Sequence, residues 1–79
     1  MKIRTLNYQG IKGKVYIYEQ RDDQLLLIAI PDMNWSVEIS EMSNQEDIHE
    51  SLVIHLFTLL DESTAEQIAE DIVKWIFEK

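Results

Sequence analysis

The feature that most constrains this chain is a change, partway along, in the spacing of its apolar residues. Trp35, Val37 and Ile39 alternate with Ser36, Glu38 and Ser40, the period of two that marks a half-buried strand. Soon afterwards Ile48, Leu52, Leu56 and Leu59 follow one another at i, i+4, i+8 and i+11, and Val53, Phe57 and Leu60 widen the stripe. That is the face of an amphipathic helix. Strand pattern first and helix pattern second, without alternation between them, points to an α+β arrangement rather than a parallel α/β sheet.

Four strands are expected within residues 2–40. The first, about Lys2 to Tyr8, alternates weakly around Ile3, Thr5 and Leu6. Gly10 and Gly13 then bracket Ile11-Lys12 and are expected to supply the positive φ angles of a hairpin loop. Lys14 to Glu19 reads as the second strand, with Val15 and Ile17 on one face and Tyr16 and Tyr18 on the other. After the polar turn Gln20-Arg21-Asp22-Asp23-Gln24 comes the unbroken run Leu25 to Ile30, the signature of a strand covered on both faces. Pro31-Asp32-Met33-Asn34 is turn chemistry, and the alternating strand from Trp35 completes the set.

Two helices follow. Asn44 is the N-cap candidate of the first, expected over about residues 45–60, with Glu46 and Asp47 at the positive end of its dipole. Ser63 and Glu66 have capping-box spacing for the second, expected over about 64–78 with Ile68, Ala69, Ile72, Val73 and Ile76 on its apolar face. The short connection around Asp61-Glu62 makes the helices antiparallel neighbours. The expected architecture is one domain over residues 1–79: a four-stranded antiparallel sheet in β-β-β-β-α-α order with a C-terminal helical hairpin packed on one face, since every link is too short for a parallel crossover.

At 79 residues without cysteine, the chain has neither disulfides nor thiolate metal sites to reinforce it. Domains of this size bury only about 60% of their unfolded surface, which leaves association as the open route to added stability. No apolar run approaches the roughly 20 residues of a membrane span, and the start Met1-Lys2-Ile3-Arg4-Thr5 does not lead into a signal-peptide core. A cytoplasmic protein without membrane contact is expected. Of the net charge of −8, residues 41–79 hold the whole excess, with ten Asp/Glu against two Lys/Arg. Such a surface repels phosphate backbones, so no nucleic-acid partner is expected.

Nothing in the sequence assembles a catalytic or cofactor site. His49-Glu50 resembles the opening of a zinc-binding His-Glu-x-x-His motif, but His55 follows six residues on, which places it about 120° round the helix from His49. A surface His49 and a partly packed His55 are expected instead. The acidic pairs Asp22/Asp23, Glu46/Asp47 and Asp61/Glu62 fall in turns or at helix starts, where solvation and the helix dipole account for them. Neither nucleophile-elbow nor phosphate-loop spacing is present, and the chain is read as a non-enzyme with no cofactor.

The aromatic residues carry more information. If Val15 and Ile17 face the helices, Tyr16 and Tyr18 lie on the open side of the sheet with one set of the Leu25–Ile30 residues, Leu26 or Leu27 among them. A patch of this kind is what protein interfaces are built from. The expected function is therefore a protein–protein interaction module that self-associates, with Tyr16, Tyr18, Leu26 and Leu27 as candidate contacts and a protein partner or second copy as its ligand. One alternative is an acidic inhibitor or nucleic-acid mimic that docks on a basic protein through the carboxylates of the helices. Another is a small-molecule-binding domain with a pocket that no local motif reveals.

The segments Val15-Tyr16-Ile17-Tyr18-Glu19 and Leu26-Leu27-Ile28-Ala29-Ile30-Pro31-Asp32-Met33-Asn34-Trp35-Ser36 resemble the YueH-like family of small proteins from Bacillus-type bacteria. The resemblance implies a small, uncharacterised bacterial cytoplasmic protein and supplies no site residues.

Overall fold

The computed structural model describes residues 1–78 and resolves into two compact units, Met1–Met42 and a second from Ser43 onward. The first unit is an antiparallel meander of β1 (Lys2–Tyr8), β2 (Ile11–Gln20), β3 (Leu25–Ile30) and β4 (Trp35–Ser40), lying in the order β1-β2-β3-β4. A 3-10 turn, Pro31–Met33, joins β3 to β4. The second unit holds α1 (Gln45–Leu56) and α2 (Glu62–Phe77). Four strands followed by two helices is the α+β order that the change of period implies.

Ile17 lies opposite Ile28 and Ile28 opposite Val37, while Leu26 faces Ile39 and Ile30 faces Trp35. Residues opposed across a ladder share a face, so these side chains, with Val15 and Leu6, form one apolar layer, and all are buried. Covering each such side chain is worth about 1.5–3 kcal/mol relative to exposure. The run Leu25–Ile30 is less symmetrically covered than its composition suggests. Leu26, Ile28 and Ile30 are buried, Leu25 and Ala29 are half-buried and Leu27 is exposed.

The first hairpin is tighter than expected. Tyr8 pairs with Ile11, leaving Gln9-Gly10 as a two-residue loop with φ of 47° and 84°, the pair of positive angles that a type I′ turn requires. Gly13 is not in the loop at all. It lies within β2 opposite Leu6, and its missing side chain makes room for the 3-10 turn. A Cβ built there would come within 2.7 Å of Asp32 Oδ2. The same carboxylate oxygen accepts a hydrogen bond from the Lys14 backbone N–H at 3.2 Å, along an edge of β2 that β3 does not reach.

In the helical unit, Asn44 caps α1 as expected, its Oδ1 accepting from the Asp47 N–H at 2.8 Å. The helix stops at Leu56, four residues earlier than the stripe implied. Thr58 Oγ1 donates to the His55 carbonyl at 2.8 Å, and the Leu59 and Leu60 N–H groups both bond the Leu56 carbonyl. A hydroxyl competing for the last carbonyls ends the ladder, and Leu59, expected in the apolar stripe, is left exposed with Phe57 and Ile54. α2 begins two residues early, with Asp61 as N-cap and no side-chain capping bond. Ser63 is already helical, so the expected Ser63–Glu66 capping box does not form. α1 and α2 pack together, α1 burying Ile48, Leu52 and Leu56 and α2 burying Ala65, Ile68, Ala69, Ile72 and Val73. No helix among the described residues is long and apolar enough to cross a membrane.

Four substitutions separate these local causes. Gly13→Ala is expected to destabilise the protein by about 1–3 kcal/mol through overpacking against Asp32, and by clearly less in an Asp32→Ala background. Asn44→Ala should cost about 1 kcal/mol, whereas Ser63→Ala should stay within about 0.5 kcal/mol. Urea unfolding followed by circular dichroism reads every variant; equal losses at Asn44 and Ser63 would contradict the capping assignment.

Candidate interaction face

The register that buries one side of the sheet dictates the composition of the other. Across one row lie Ile3, Tyr16, Ala29 and Ser36, across the next Tyr18, Leu27 and Glu38, and across the next Gln20, Leu25 and Ser40. At the hairpin end the face continues with Thr5 opposite Lys14 and Asn7 opposite Lys12. Ile3 is 49% exposed, Tyr18 41% and Leu27 38%, around a half-buried Tyr16. Exposed apolar side chains scattered singly over a surface mean little, but these are neighbours across three strands. Tyrosine suits such a position because its ring buries apolar area while its hydroxyl stays satisfied by water or a partner.

Of the four residues expected to contribute, Tyr16, Tyr18 and Leu27 share this face and Leu26 does not. Leu26 is 3% exposed and stands opposite Ile39 in the buried layer. A uniform apolar run carries no sign of which parity faces outward; pairing with alternating β4 settles it, because Leu27 lies opposite Glu38. Ile3 belongs to the patch and was not singled out from the sequence, since only the β1–β2 register brings it beside Tyr16.

Beside these residues the surface dips into a depression of about 230 Å³ lined by Tyr18, Gln20, Asp23, Leu25, Leu27 and Glu38. Its lining combines the aromatic and aliphatic side chains of Tyr18, Leu25 and Leu27 with the carboxylates of Asp23 and Glu38. A second depression, of about 480 Å³ in the helical unit, is lined by Gln45, Glu46, His49, Glu70, Val73 and Lys74, with Lys74 Nζ 3.7 Å from Glu70 Oε1. His49 is half-buried and His55 exposed, the reverse of the expected order. His55 Nδ1 lies 2.7 Å from the Ser51 carbonyl oxygen, the one-turn-back contact of an exposed helix side chain. Among the described residues no group of three or more His, Asp and Glu side chains is placed to hold a metal ion.

Comparison with known proteins bears on the whole chain at once. The profile of the family described as YueH-like protein matches residues 2–78. The chain belongs to the YueH-like family. It is 32% identical over 81 aligned residues to a protein of Bacillus subtilis (strain 168) named "Uncharacterized protein YueH", with 99% of each chain covered. No solved structure matches. Family membership at this coverage makes the sheet and both helices part of one inherited unit of sequence, and it names no ligand or reaction.

The two leucines that the run cannot tell apart give a direct test of the face assignment. Leu26→Ala is expected to cost about 2–5 kcal/mol, as truncation of a core side chain does, while Leu27→Ala should fall within about 1 kcal/mol. Comparable losses in urea midpoint for both would mean that the register is not as described.

Proposed function

We propose that this member of the YueH-like family is a non-enzymatic, cytoplasmic protein–protein interaction module that self-associates through the open face of its sheet. The observation that supports this reading is the cluster of Ile3, Tyr18 and Leu27 around Tyr16, large apolar side chains that stay accessible while Val15, Ile17, Leu26, Ile28 and Val37 on the other face are buried. A small domain without disulfides gains stability by removing such a patch from water. Removing apolar surface from water is worth about 25 cal/mol per Å², a gain that works against the cost of association.

The central residues of an interface carry most of its energy, and tyrosine is prominent among them. Sedimentation equilibrium of the purified chain should return the mass of a dimer. Tyr16→Glu, which places a charge at the centre of the patch, should return that of a monomer while leaving the far-ultraviolet circular dichroism unchanged. A wild-type chain that stays monomeric at high micromolar concentration rules the self-association reading out.

A further inference from the structure

The open face is electrically lopsided along its strands. On β2 the residues that point to it run Lys12, Lys14, Tyr16, Tyr18 in order. Both lysines are exposed on one side of Tyr16. On the other side, Tyr18 shares its row with Leu27 and Glu38, and Glu38 and Asp23 line the same depression as Tyr18, Leu25 and Leu27. The face therefore has a basic end, an aromatic middle and an acidic end, although the chain as a whole carries a net charge of −8.

Building on the self-association reading, we propose that Lys14 of each copy seats in the depression of the other, its stem over Leu27 and Tyr18 and its ammonium group against Glu38. The occupant is a second copy of this chain because the charge pattern is self-complementary. A two-fold axis lying in the interface, across the strands and beside Tyr16, reverses strand direction and carries each end of the face over the opposite end. Lys14 is two residues before Tyr16 and Tyr18 two residues after it, so this one operation stacks Tyr16 on Tyr16 and sets Lys14 over Tyr18, twice by symmetry. A lysine is suited to the depression because its methylene stem covers apolar lining while the ammonium group meets both an aromatic face and a carboxylate. The opposite orientation, with the axis running along β2 and the strands parallel, would set Lys12 over Lys12 and Lys14 over Lys14, which is unfavourable.

Within one chain Lys14 cannot make this contact with Glu38. They are separated by two strand spacings of about 4.8 Å and by four residues of about 3.4 Å along the strand, beyond the reach of the two side chains. A Lys14–Glu38 bond formed by a zero-length carbodiimide cross-linker therefore reports contact between copies.

The test compares dimer dissociation constants of the wild-type chain, Lys14→Glu, Glu38→Lys and the double swap by sedimentation equilibrium, with urea unfolding to verify that each variant is folded. Each single swap is expected to weaken the dimer by about tenfold or more, and the double swap to recover most of that loss. In a mixture of isotopically light and heavy wild-type chains, mass spectrometry should find the Lys14–Glu38 cross-link in mixed-isotope pairs. A wild-type dimer whose affinity is unchanged by Lys14→Glu, or a double swap no tighter than the single ones, overturns this arrangement while leaving self-association standing. A monomeric wild-type chain overturns both.

Discussion

The opposition of Ile17, Ile28 and Val37 across three strands is the constraint on which the rest of the sheet depends. Side chains alternate faces with a period of two, so one such row commits every residue of β2, β3 and β4 to one side or the other. Val15, Leu26, Ile30, Trp35 and Ile39 are drawn into the buried layer with it. By the same step Tyr16, Tyr18 and Leu27 are placed opposite, together with Lys14 and Glu38. The candidate face is thus a consequence of the core register, and no shift can alter one without exchanging the other.

Three reversals hold that register in place, each with a non-glycine residue at positive φ: Gln9, Gln24 and Asn34. Asparagine enters this region at low cost because its short amide bonds locally; glutamine has less to recommend it. At Gln24 the carbonyl accepts the Glu41 N–H at 2.8 Å and the N–H donates to the Arg21 carbonyl at 3.2 Å, so the backbone is satisfied on both sides. At the far end, Asp32 lies over Gly13 and closes the edge of β2. A glycine that reads as a loop residue is a spacer inside a strand, because what it must accommodate comes from a turn that follows two strands later.

The functional reading follows from the unequal treatment of the two sheet faces. The layer containing Ile28 is closed to solvent, whereas the layer containing Tyr18 and Leu27 presents apolar side chains between lysines at one end and carboxylates at the other. The chain belongs to the YueH-like family, whose members can be inspected for the same face. The helical unit contributes the acidic excess and further exposed apolar residues, Ile54 on α1 and Phe57 and Leu59 just beyond its end.

By itself the sequence determined the order of elements, the antiparallel meander, the Asn44 cap and the division of β2 into a Val15/Ile17 face and a Tyr16/Tyr18 face. All of these rest on local periodicity or on short connections, which are properties of neighbouring residues. Tertiary structure alone decided the rest. The unbroken run Leu25–Ile30 has no parity of its own, so only pairing with β4 could assign Leu26 to the core and Leu27 to the surface. Ile3 joined the face through the β1–β2 register, and Leu59 left the apolar stripe because Thr58 and the Leu56 carbonyl close the helix first. In each case the outcome was set by a partner distant in sequence or by competition for a backbone group, and neither leaves a periodic trace in the chain.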